Sequence, residues 1–231
     1  SSWDNIEMRV DENCYELQDL LRLGIHIGDF IAIDPQPDVM ENGYIVSRHL
    51  DDKAGVAVML GAIKAVVDAG VELPVDCHPL FTISEEVGSG ASAVLHGDIS
   101  EMLTLDNGTT APGQNSREFG ATICMADMSG PFDYHLSHRL LQLCQEFEIP
   151  HQRDIFRYYR CDSAAAVEAG NDLRTALATF GVDASHGYER IHWNALDSLA
   201  QLVALYMQSP PLYERDRERR GSLTGFPTMP G

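Results

Sequence analysis

Basic residues are scarce in this chain. Only 16 Lys and Arg stand against 35 Asp and Glu, and the formal net charge is -19. Neutralising nucleic-acid phosphates takes a surplus of Lys and Arg, so a nucleic-acid partner is not expected. The acidity suits solubility and cation binding, but an ordinary acidic surface would look the same. Long apolar runs are missing too, so no membrane partner is expected. The opening Ser1-Ser2-Trp3-Asp4 lacks the basic and apolar regions of a secretory signal, and it does not begin with Met. The five cysteines (Cys14, Cys77, Cys124, Cys144, Cys161) form no CxxC pair. An odd count without a framework reads as reduced thiols in a cytoplasmic protein, and none lies in an activating motif. There is no internal repeat.

What is present is enough for one large α/β domain, or a domain plus a fragment: 231 residues, 44% of them hydrophobic. The first part reads as β-rich with short links. Strands are expected over 5–10, 28–34 and 44–47, with a short helix from Asp11 through Leu23. From Asp51 the rhythm changes. Small apolar residues predict a helix over 52–69, and further helices are expected over 90–95, 134–147, 163–169 and 193–207. Between them lie strand-like runs over 79–83, 102–105, 121–125, 155–159 and 175–180. Alternating strands and helices imply an α/β layered sheet. After Ser209-Pro210-Pro211 the chain turns into a polar tail of mixed charge over 210–231, read as a solvated extension.

The chemistry is carried by acids at the ends of apolar runs. Arg48-His49-Leu50-Asp51-Asp52-Lys53 and Ser84-Glu85-Glu86-Val87-Gly88-Ser89-Gly90 each place an acid pair there. Asp106 and His186 follow two further strand-like runs. Adjacent carboxylates repel, so a fold that gathers several at strand ends usually has a cation to neutralise them. In doubly wound sheets such ends face one crevice. Taken singly, each piece has a plainer explanation. An Asp-Asp pair before a helix is an N-cap, a Glu-Glu pair is solvated, and Asp106-Asn107-Gly108 is a good turn. A lone His is more often a surface or core residue than a ligand. The four in order are far more specific than any one.

In this order the segments SRHLDDKAGVAV, FTISEEVGSGAS, LDNGTTAPGQ and DASHGYERIH resemble the tetrahedral (TET) and glutamyl-type dinuclear metalloaminopeptidases, whose members often carry an endoglucanase label. The resemblance runs from about residue 28 to about residue 208. SGPFDYHL, RDIFRYYRCDSAAA and GNDLRTAL further resemble a bacterial subgroup associated with osmoprotectant dipeptide gene clusters. The resemblance implies a three-layer α/β/α zinc-peptidase-like sheet and two divalent metal ions, zinc or cobalt. It implies Asp51 as the acid bridging both metals, with Glu86 and His186 as further ligands of one and Asp106 of the other. It implies Glu85 as general base. Asp52 would shape the backbone beside Asp51, and Asp162 would take a substrate-side or supporting role. Lys53 stands where the family commonly has Arg.

One family ligand finds no counterpart, a His in an early His-x-Asp motif. None of His26, His49, His78, His96, His135, His138, His151 or His192 stands in a His-x-Asp context on a suitable strand. The resemblance therefore places residues 1–46 as part of a β-rich inserted assembly domain. Residues 47–209 would be a catalytic α/β domain lacking its N-terminal strands. The implied activity is metal-dependent removal of N-terminal residues from short peptides by a homo-oligomer. Two alternatives stay open: a deacylase or dipeptidase on a small amide, and an inactive truncated assembly module. Sugar cleavage is set aside, because its paired carboxylates need neither His186 nor shared-metal geometry.

Overall fold

A computed structural model describes residues 3–213, so most of the tail expected over 210–231 lies outside the described residues. The chain divides into two compact units, Ser1–Asp34 and Pro35–Gly231.

In the first unit the main element is helix α1 (Leu17–Arg22). Asp19 closes its start by accepting the backbone N–H groups of Tyr15 at 2.8 Å and Glu16 at 3.0 Å, and it pairs with Arg22. Residues 5–10 and 28–34 form no strand, and Ile27, Phe30 and Ile31 are exposed. Alternation supplies a face for a sheet, but a strand also needs a neighbour for its N–H and C=O groups. Among the described residues neither segment joins a strand ladder.

The second unit holds two sheets. The smaller is antiparallel and joins β1 (Asp38–Val39), β2 (Tyr44–Ser47) and a late strand, β8. Between β2 and the larger sheet runs α2 (Leu50–Ala69). The larger sheet is mixed. It contains β3 (Glu101–Thr109), β4 (Ala121–Asp127), β5 (Gly130–Pro131), β6 (His151–Ile155) and β7 (Arg174–Val182), with order β3-β7-β4-β5 and β6 also paired to β4. β3 runs parallel to β7, whereas β4 runs antiparallel to it. Helix α3 (Tyr134–Glu146) lies between β5 and β6, and α4 (Asp162–Glu168) between β6 and β7. The chain then enters β8 (Glu189–His192) and ends in α5 (Trp193–Met207).

The two-residue period of β7 explains the layers. Ala176, Ala178, Phe180 and Val182 face a core shared with α2, α3 and α5. Leu177 points the other way and packs with Cys124, Phe132, Phe156 and Cys161 at the entry to α4. The helix α2 meets this core through Ala54, Val58, Ala62 and Val66, a four-residue spacing that makes one stripe. These are small side chains, so the helix sits close to α5 and β3. The α/β class expected from the sequence is the one the chain adopts. Among the described residues no helix is long and apolar enough to cross a membrane.

Two segments on the way to the site differ from expectation. Residues 79–83 form no strand, leaving Ile83 exposed, and residues 90–95 form turns instead of a helix. The strand expected over 155–159 lies earlier, at β6, because Phe156 leaves the ladder to fill the α4-side core.

Candidate metal centre

The entry to α2 is irregular. His49 caps it with a left-handed backbone (φ 64°), and Asp51 and Asp52 are non-helical, joined by a cis peptide. The helix proper follows them, so both carboxylates stand at its threshold and are not spread round its surface. On the far side of the sheet end, β7 leads into a turn in which Gly187 donates to the Ala184 carbonyl at 2.8 Å. His186 sits in this turn with φ 64°. Its Nε2 lies 3.2 Å from Asp51 Oδ2 and 3.4 Å from Glu86 Oε2. Glu85 and Glu86 occupy a single 3-10 turn, Glu85–Val87.

Two groups of donor atoms result. Asp51, Glu86 and His186 form one, and Asp51, Asp52 and Asp106 the other, each with its atoms within 4.8 Å of one another. Asp51 belongs to both. The structure thus brings Asp51, Asp52, Glu86, Asp106 and His186 together. Glu85 adjoins them without belonging to either group.

Asp106 is not a turn residue. Strand β3 continues to Thr109, with Asp106 paired opposite Thr179. Asp106 alternates with Leu103 and Leu105, which face the main core, and so lies on the opposite face. It is buried, and its Oδ1 accepts the Asn107 backbone N–H at 2.6 Å. Gly108 answers to close packing, since a Cβ there would run into Thr179 and Ser116.

Asp162 lies apart from the donor groups. Buried at the start of α4, it accepts the Thr82 hydroxyl at 2.7 Å and the Ala91 backbone N–H at 3.0 Å. Those partners flank the Glu85-Glu86 turn, so one carboxylate ties both ends of the loop. Gly90 has no room for a Cβ against it. Lys53 is exposed and makes no ion pair among the described residues. His192 caps α5 by accepting the Asn194 N–H at 3.0 Å. Glu189 is the residue that the motifs did not single out. It is wholly buried and accepts the backbone N–H groups of both Asp51 and His186.

The acids crowd one another. Burial, then the charges of Asp51 and Glu85, holds the Asp106 carboxyl well above the usual range. Burial, Asp106 and Asp51 do the same to Asp52, whose buried Oδ1 has no hydrogen-bond partner. Glu86 is raised by burial and Asp51 and eased by His186. Glu85 is pushed from 4.5 up to about 7, by burial first and then by Asp162, Glu86 and Asp51. Hard oxygen donors plus one imidazole, mutually repelling and with one orphaned oxygen, fit a divalent cation.

This crowding has a measurable consequence. Between about 4.5 and about 7 the folded chain keeps a proton on Glu85 that the unfolded chain has released. Stability of the metal-free chain therefore falls as pH rises through that window. Melting curves in chelator, from about pH 5 to about pH 8, should show Tm falling by a few degrees. Adding a divalent cation should restore it. A Tm that climbs across the window in chelator would contradict the crowding.

A mixed sheet flanked by helices, with acids and an imidazole gathered at its margin, defines an α/β domain with a candidate divalent-cation centre. Residues 1–202 match the sequence profile of the M42 glutamyl aminopeptidases, and the chain belongs to that family. It is 39% identical over 207 residues to "Putative aminopeptidase YhfE" of Bacillus subtilis (strain 168), covering 90% of this chain and 60% of that protein. The TET1 peptidase of Pyrococcus horikoshii, described as able to assemble into a tetrahedron or a large octahedral shell, has a similar fold. The TM-score is 0.70 at 23% identity, over 82% of this chain and 57% of that one. The aminopeptidase APDkam598 of the archaeon Desulfurococcus kamchatkensis gives 0.72 at 18% identity, over 85% and 57%. The chain thus spans about 60% of the length of its curated relative.

Proposed function

We propose that the protein is a metal-dependent aminopeptidase that removes N-terminal residues from short peptides. The observation that carries this is the sharing of Asp51 between two donor groups, with Glu85 alongside and free of both. Asp51, Glu86 and His186 would hold one divalent ion, and Asp51 and Asp106 a second, with Asp52 shaping the approach. Zinc or cobalt suits this mixture of carboxylate and imidazole. When bound, such ions supply Lewis-acid polarisation of a water and of the scissile carbonyl.

The remaining work falls to this chain's own groups. Glu85 takes a proton from the attacking water and later returns one to the leaving amine. In the metal-free chain burial and neighbouring acids lift its carboxyl to about 7, and bound cations would draw it back down toward the ionised form that accepts a proton. Asp162 holds the Glu85 loop at both ends, which supports a positioning role over a substrate-side one. Family membership and the assembly described for TET1 support a homo-oligomer.

The test pairs metal analysis with substrate choice. The purified chain, dialysed and then loaded with zinc or cobalt, should bind metal and release amino acids from unblocked di- and tripeptides. Cleavage confined to N-blocked substrates would instead identify a deacylase. Neither metal nor turnover would identify an assembly module.

A further inference from the structure

Glu189 opens β8 and is only 1% exposed, the deepest burial of any acid among the described residues. A carboxylate taken so far from water needs donors for both oxygens. Many backbone groups could serve. The two that do are the N–H of Asp51, 3.0 Å from Oε2, and the N–H of His186, 2.8 Å from Oε1. These residues are far apart in the chain, and each brings a donor to the shared group. His186 also has a left-handed backbone, which a non-glycine residue keeps only when its surroundings hold it there.

The sheet explains how one side chain reaches both. Glu189 pairs opposite Ser47 across β2 and β8. β2 then runs through Arg48 and His49 to Asp51, while His186 lies three residues before Glu189 on the other approach. Glu189 therefore sits where the two approaches meet, behind the ligand atoms and not among them.

We infer that Glu189 is a positioning residue: its two oxygens fix the spacing between Asp51 and His186 so that both can reach one cation. The inference rests on the metal reading above. Hydrogen-bonding partners behind metal ligands typically set about 10–100-fold in metal affinity. Glu189→Gln keeps one acceptor but turns an NH2 group against a backbone N–H. Glu189→Asp keeps the charge and falls one methylene short.

The experiment titrates the full chain with Zn2+ against a chromogenic chelator, and records the visible spectrum of the Co2+ form. E189Q should bind about 10–100-fold more weakly, with an altered Co2+ spectrum and an unchanged far-UV circular dichroism signal. E189D should fall between. If E189Q does not fold, E189D carries the same comparison. A merely structural role would lower Tm equally with and without metal and leave affinity and spectrum untouched. That result would overturn the inference while leaving the metal reading intact. Absence of Zn2+ binding by the unchanged chain would instead overturn the metal reading, and this inference with it.

Discussion

Asp51→Asn should strip metal from the protein while making the metal-free chain more stable. The two effects have opposite signs and one origin. Asp51 belongs to both donor groups, so neutralising it weakens both at once. Loss of a hydrogen-bonding partner behind a ligand costs about 10–100-fold in affinity, so loss of the shared ligand charge should exceed about 100-fold. Without metal the same charge is a liability. It raises the carboxyls of Glu86, Asp106, Asp52 and Glu85. Removing it relieves that repulsion, and Tm in chelator should rise by a few degrees. The neighbours give a graded control. Asp106→Asn and His186→Ala each touch a single group, so each should remove part of the metal that D51N removes entirely. Elemental analysis after dialysis and paired melting curves read both signs. Full metal retention in D51N, or equal losses in all three variants, would sink the shared-ligand reading.

The acid pairs were readable in the sequence because each stands where an apolar run stops. Asp51 and Glu86 do meet His186, although the run before Glu85 forms no strand and leaves Ile83 exposed. Helices with their own amphipathic stripe were readable for the same reason. α3 and α5 lie where the spacing of Leu136, Leu140, Leu141 and Cys144, and of Leu196, Leu199 and Val203, puts them. Segments whose conformation depends on a partner were not. Residues 5–10 alternate and residues 28–34 and 79–83 are apolar runs, yet among the described residues none of them joins a strand ladder, because a pattern of side chains says nothing of a neighbouring edge. Asp106 was expected at a strand end and lies within β3, since Asn-Gly reads as a turn until close packing explains the glycine. Glu189 left no signal. A single Glu between Tyr188 and Arg190 looks solvated, and its donors come from distant and local backbone that composition cannot reveal.

Glu85→Gln should abolish turnover without disturbing metal. The glutamine has the shape of the acid but cannot accept a proton from water. A positioned general base contributes about 10²–10⁴-fold, so kcat should fall by that factor, about 2.7–5.4 kcal/mol of barrier. KM and metal content should hold, because Glu85 belongs to neither donor group. The pH profile adds a second reading. Glu85 must be ionised to act, so kcat/KM should rise with pH through its ionisation. In the metal-free chain that carboxyl lies at about 7. Nearby cations favour the carboxylate, so the midpoint in the loaded enzyme should fall at or below that value. E85Q should lose the rising limb along with the rate. It should also flatten part of the fall in Tm with pH in chelator, since it deletes one of the raised acids. Near-normal turnover in E85Q would remove Glu85 from the chemistry and leave it as one more half-buried acid. Loss of metal in step with activity would make it a ligand, and the proton would then have to pass through another group.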